Sequence, residues 1–220
     1  MERMKQCTMK RTETDANFRA NPIVHVYVAR VPFPVADERI FPPARADEID
    51  RCSNPDVRRE KYYVWKLLET ALMRSFGLNL EDLDFSRTDS GTWECSACQF
   101  SLSHRGNCVT VAVSGKPVGV DIEQWDESRF TDALAEKIAT VREREELIRL
   151  GTARQKALNI LWTQKEAVFK LLAGKAFRPR SMEVSEYVTA TKTVLSEDER
   201  YFVTVASEDA EQAALIVLSQ

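Results

Sequence analysis

Apolar and polar positions alternate in IVHVYVARV (23–31), with Val24, Val26 and Val28 on one side, which predicts a strand. The segment that follows, PFPVADERIFPPARAD, holds four prolines and is expected to be mostly loop. Asn54-Pro55-Asp56 is a helix-start signal. Beyond it Val64, Leu67, Leu68, Ala71, Leu72 and Phe76 recur at helical spacing, and Gly77 ends the run. ECSACQFSLSH leads into CVTVAV (108–113), where Val109, Val111 and Val113 share a face. SGKP (114–117) supplies turn chemistry and VGVDIE (118–123) returns, so the pair predicts a β-hairpin. From about Asp126 the pattern turns helical up to Gly151. Thr152 is placed to cap a further helix, ARQKALNILWTQKEAVFKLLAG, which runs to Gly174. RYFVTVA and QAALIVLS read as two more strands. Residues 1–21 form a polar lead-in. The remainder is expected to be an α+β fold of two similar halves, 22–117 and 118–220, each with a long helix and several strands.

Bulk composition narrows the class. A chain of 220 residues with 44% hydrophobic and 30% charged positions can bury a core without staples. Its net charge of −3 supplies no global field for nucleic acid. No apolar run approaches the roughly 20 residues of a membrane span, and the N-terminus carries no secretory apolar region. Five cysteines, an odd number, argue against a secreted disulfide framework, so a cytoplasmic protein is expected.

The chemistry starts in VGVDIE. Residues two apart on a strand face the same way, so Asp121 and Glu123 project together while Val120 and Ile122 face the core. A solvated outer face would explain them. Gly119, however, marks close approach of another group. In LWTQKEAVFK, Glu166 and Lys170 stand one helical turn apart, with Trp162 a turn earlier on the same face. An exposed Glu–Lys pair is one reading, but the tryptophan suggests partial burial, and a buried carboxylate wants a cation or a donor. Three carboxylates, two from a strand and one from a helix, make an oxygen set suited to Mg²⁺. Cys95, Cys98, His104 and Cys108 spell a competing zinc-knuckle spacing, although the flanking Phe100 and Leu102 read as sheet and core.

FSLSH (100–104), PVGVDIE (117–123) and WTQKEAVFK (162–170), in that order and spacing, resemble the Sfp-type 4′-phosphopantetheinyl transferases. The motifs cover some 21 residues, and the order of flanking elements extends the likeness over roughly residues 23–218. The resemblance implies transfer of the phosphopantetheine arm of coenzyme A to a serine of an apo acyl or peptidyl carrier protein, with release of adenosine 3′,5′-bisphosphate. It implies Mg²⁺ on Asp121, Glu123 and Glu166, with Glu166 also helping to take the serine proton. By the same likeness Lys170 stabilises the departing phosphate oxygen, and Ser103 and His104 form a pair whose histidine meets the cofactor 3′-phosphate. Three positions depart from the family. Gly91-Thr92-Trp93 stands where a Gly-Lys is usual, Trp65 where a helix arginine is common, and Gly174-Lys175-Ala176 where a glycine-rich turn is usual. Arg58, Arg59 and Lys61 are the cations placed to compensate, and Arg59 and Lys61 are taken as cofactor contacts. The expected protein is thus a monomer with its active site in the cleft between pseudo-repeated halves, without nucleic-acid or membrane partners. The alternatives are a coenzyme A- or carrier-protein-binding relative with weakened catalysis, and a zinc-dependent interaction module.

Overall fold

The structure is a computed structural model that describes residues 23–35, 41–88, 91–174, 176–196 and 198–218. The polar lead-in at 1–21 and Lys175 lie outside them. The first half contains β1 (His25–Arg30), α1 (Pro43–Asp50), α2 (Pro55–Phe76), β2 (Phe85–Arg87), β3 (Trp93–Cys95), β4 (Gln99–Arg105) and β5 (Cys108–Ser114). The second contains β6 (Gly119–Gln124), α3 (Asp132–Ile138), α4 (Val141–Arg149), α5 (Arg154–Leu171), β7 (Thr189–Ser196), β8 (Glu199–Ala206) and β9 (Ala214–Leu218).

One sheet has the order β4-β5-β1-β9, antiparallel except for the parallel β1–β9 pair. The other has the order β6-β8-β7 and is antiparallel throughout. β2 and β3 form a separate short ribbon. α2 covers the outer face of the first sheet, burying Val64, Trp65, Leu67, Leu68, Ala71 and Leu72 against Tyr27, Ala29 and alternate residues of β5. Val24, Val26 and Val28, on the other face of β1 and the residue before it, pack against Val120, Ile122, Val203 and Val205 of the second sheet. α5 covers the far side of that sheet through Ala167 and Val168, which meet Ala206. The layers therefore run helix, sheet, sheet, helix, which explains why β1 is apolar on both faces.

Local chemistry accounts for most boundaries. Asn54 accepts hydrogen bonds from the backbone N–H groups of Asp56 and Val57, and Gly77 takes the left-handed conformation that ends α2. The proline-rich segment ends in a helix: Pro43 opens α1 from the first turn, where its missing N–H removes no helix bond. Three expectations are corrected. The helical stretch before Gly151 is two helices, because Thr140 and Glu143 form a reciprocal capping box that starts α4 anew. Thr152 does not cap α5; it sits in a short 3-10 turn, and Ala153 is the N-cap without a side-chain bond. The expected hairpin between CVTVAV and VGVDIE does not form. β5 has β4 and β1 on its two edges, so β6 crosses to the second sheet and pairs with β8.

Candidate active site

Gly119 sets the distance between β6 and α5. A Cβ there would stand 1.9 Å from the Ala167 carbonyl oxygen and 2.5 Å from the Leu171 nitrogen, so only glycine lets the strand lie this close to the helix. The next two residues on that face are Asp121 and Glu123, both nearly inaccessible to solvent. The alternation of VGVDIE therefore holds, and the acids are a buried face rather than a solvated one.

Each acid is held by donors from several elements. Lys170 of α5 donates to Asp121 Oδ1 at 2.8 Å and to the Val120 carbonyl at 3.1 Å. Ser103 Oγ donates to the same Asp121 oxygen at 2.7 Å. Asp121 Oδ2 is buried and has no hydrogen-bond partner among the described residues. Glu123 accepts from Trp162 Nε1 at 3.1 Å through Oε1, and from Arg129 at 3.0 Å through Oε2, with Arg105 Nε at 3.3 Å. Glu166 lies half-buried on α5 beside both acids. Burial and the Asp121 and Glu123 charges push its carboxyl up to about 7, with Lys170 acting in the opposite sense.

These contacts form a seam between two strand edges that share no backbone ladder. Ser101 accepts from the Val120 N–H at 3.0 Å, Ser103 meets Asp121, and Arg105 meets Glu123. Ser101, Ser103 and Arg105 are alternate residues of β4 and so share a face. His104 consequently points the other way. Its Nδ1 meets Glu60 of α2 at 2.8 Å, and burial holds its pKa below the usual histidine value, with Lys170 and Arg45 acting in the same sense and Glu60 against them. Ser103 and His104 thus serve opposite sides of the sheet.

The His104 side is rich in charge. Lys61 contacts Glu48 at 2.9 Å, Arg45 contacts it at 2.9 Å and Arg87 at 3.7 Å. Three cations around one carboxylate leave an excess of positive charge, and they draw the Glu48 carboxyl below its ordinary value despite burial. Arg59 donates to Asn107 Oδ1 at 3.1 Å, and Arg58 donates to the Ile49 and Asp50 carbonyls at the end of α1. Trp65, the departure from the family's arginine, is fully buried, and the Arg45 guanidinium lies over its ring at 5.2 Å. Sequence reasoning missed Arg45 and Arg87 because their approach to Lys61 depends on chain packing. It also missed Arg105 and Arg129. Arg105 was findable, since it alternates with Ser103 on β4.

A cavity of about 410 Å³ is lined by Thr92, Trp93, Phe100, Pro117, Val118 and Lys170. The zinc spacing does not survive folding. Cys95 and Cys98 belong to the core under α2, whereas Cys108 lies in the core between the sheets. Among the described residues no three His, Cys, Asp or Glu side chains already converge as a metal centre. The acids nevertheless suit a hard cation: all the ligand atoms they offer are carboxylate oxygens, Asp121 Oδ2 is buried without a partner among the described residues, and Glu166 is repelled by its neighbours.

Residues 117–217, which include Asp121, Glu123, Glu166 and Lys170, match the family model for the 4′-phosphopantetheinyl transferase superfamily. Over that stretch the chain is similar to this superfamily. It is 31% identical over 109 residues to the 4′-phosphopantetheinyl transferase psf-1 of Bacillus pumilus, covering 48% of this chain and 46% of that protein. It is 37% identical over 70 residues to enterobactin synthase component D of Escherichia coli O157:H7, covering 32% of this chain and 34% of that protein. The chain thus spans less than half the length of the curated relatives it matches.

Proposed function

We propose that this chain transfers the 4′-phosphopantetheine group of coenzyme A to a serine of an apo acyl or peptidyl carrier protein, releasing adenosine 3′,5′-bisphosphate. The observation that carries the reading is the meeting of Asp121 and Glu123 with Glu166 and Lys170, on touching elements inside the matched stretch. Asp121, Glu123 and Glu166 are the residues that would hold Mg²⁺, with Asp121 Oδ2 already free to bind it. When bound, the ion neutralises negative charge on the pyrophosphate oxygens. Lys170 places an ammonium at the wall of the cavity, suited to the departing phosphate oxygen. Glu166, with a pKa near 7, is poised to accept a serine proton.

The excess positive charge of Arg45, Lys61 and Arg87 suits the cofactor phosphates, with His104 beside it and Arg59 two residues before Lys61 on α2. Ser103 instead orients Asp121. The reading includes two copies of one unit. β1-α2-β4-β5 and β6-α5-β7-β8 share their order of elements, and the sheet orders β4-β5-β1 and β7-β8-β6 correspond strand for strand with the same antiparallel pairing. The halves 22–117 and 118–220 then enclose the site in the cleft between them, in a cytoplasmic monomer. No helix among the described residues is long and apolar enough to cross a membrane.

The test is incubation with coenzyme A, Mg²⁺ and a panel of apo carrier proteins, read by intact mass. A phosphopantetheine adduct on a carrier serine is the expected result and identifies the carrier. Saturable binding of coenzyme A with no adduct on any carrier would replace this reading with that of a binding protein.

A further inference from the structure

The Cys95-Ser96-Ala97-Cys98 turn contributes no group to the acid cluster described above. It joins β3 to β4 and sets both sulfurs in the core under α2, at 7% and 5% exposure. Both are free thiols, and they are hydrogen-bonded to each other. The backbone N–H groups of Ala97 and Cys98 point at the Cys95 sulfur. Both cysteines also line the 410 Å³ cavity, as does Lys170. A structural pair of buried cysteines would need neither the donors around one sulfur nor an opening to a cavity.

We infer that Cys95 and Cys98 form a redox-active dithiol, a modification site in the cavity wall that takes small disulfides such as oxidised glutathione. The two sulfurs differ in the way that thiol exchange requires. The hydrogen bond from Cys98, with the two backbone donors, holds the Cys95 thiol down to about 6, against burial and the Asp84 charge. The same contact and burial raise Cys98 well above its ordinary value. Cys95 is therefore the sulfur that loses its proton more readily, and Cys98 the one that holds it. In the first step the Cys95 thiolate attacks one sulfur of the small disulfide, the S–S bond breaks, and a thiolate leaves. Cys98 then gives its proton to solvent and attacks the Cys95 sulfur, expelling the second thiolate. In sum two protein thiols and one disulfide become one protein disulfide and two small thiols. The residues between them form a turn of the length used by other exchange-active pairs.

The full chain, equilibrated across ratios of reduced to oxidised glutathione, acid-quenched, unfolded and labelled with N-ethylmaleimide, tests this. Both cysteines fall in the single tryptic peptide 88–105. The expected result is loss of both labels and of two hydrogens from that peptide as oxidised glutathione rises. Dithiothreitol restores both labels, while Cys52 and Cys108 stay labelled at ratios that oxidise the pair. Cys98→Ser is expected to stop at a glutathione adduct on Cys95, and Cys95→Ser to carry none on Cys98. Full labelling of the wild-type peptide at every ratio would overturn the inference, as would pairing with Cys7 or Cys52. An adduct on Cys98 in the Cys95→Ser chain would overturn the order of attack. The mapping needs no carrier protein, so its failure is separate from that of the transferase reading.

Discussion

Lys170 is the residue on which the two readings of its helix divide. Its ammonium bridges Asp121 Oδ1 and the Val120 carbonyl from the wall of the cavity, a geometry no surface ion pair would adopt. A charge acting on a departing phosphate oxygen counts most in the transition state. Lys170→Met is therefore expected to lower kcat by roughly 10²–10³-fold with little change in KM for coenzyme A, measured by steady-state kinetics. A rise in KM alone would assign Lys170 to binding. Glu166 carries a second expectation, for the chain held in chelator. Its folded-state value of about 7 lies above its ordinary 4.5, so it binds a proton on folding. Its contribution favours the fold fully below 4.5 and is lost as pH rises from 4.5 through 7. Thermal melts in chelator should show Glu166→Gln melting above wild type at pH 8, with the gain shrinking towards pH 4.5. Equal melting temperatures at pH 8 would mean that the carboxylates do not repel one another. Added Mg²⁺ should then stabilise wild type and leave Glu166→Gln behind.

Between elements, the contact that matters most is β6 against α5. Gly119 holds no strained conformation; its constraint is the helix backbone 1.9 Å from where a Cβ would be. Gly119→Ala must push the strand away from α5, and with it the two acids that follow. The expected cost is about 1–3 kcal/mol of stability in urea melts, typical of overpacking, together with loss of transfer activity larger than the loss of folded protein. Gly77→Ala is the comparison: its Cβ would meet nothing, and the cost comes only from the left-handed backbone at φ 65°. It should destabilise while leaving the specific activity of the folded fraction intact. If Gly119→Ala behaves the same way, the close approach has no functional weight. The seam between β4 and β6 belongs to the same scale. It replaces a backbone ladder with Ser101, Ser103 and Arg105, so Ser103→Ala loosens Asp121 without uncovering any core.

Across the whole molecule, β9 ties the last strand of the chain to the first sheet. Ala214–Leu218 pairs in parallel with His25–Ala29, and Leu215 packs into the core between the sheets, with Ile216 and Leu218 against the core under α2. The two sheets are thus joined by the crossing of β6 to one and by the return of β9 to the other. A chain truncated after Gln212 is expected to lose hydrogen-exchange protection in β1 as well as thermal stability, because β1 becomes an unpaired edge. Protection confined to its wild-type level in β1 would show that β9 is an ornament of the sheet.

By itself the sequence determined which residues share a face. Period-two alternation put Asp121 and Glu123 opposite Val120 and Ile122, and the four-residue step put Glu166 and Lys170 on one turn, because these relations depend only on local backbone geometry. The caps at Asn54 and Gly77 were legible for the same reason. Tertiary structure decided what each face meets. VGVDIE pairs with β8 because both edges of β5 were taken, and a nearest-neighbour hairpin pattern holds no information about edge occupancy. TATKTVLS, polar and only partly buried on its edge of the sheet, gave no strand signal until β8 supplied its partner. Ser103 and His104, adjacent in the chain, were separated by the sheet, and Arg105 reached Glu123 from a strand of the other sheet. Charge acts through space, so the partners of a buried acid follow from the packing of the chain and not from its order.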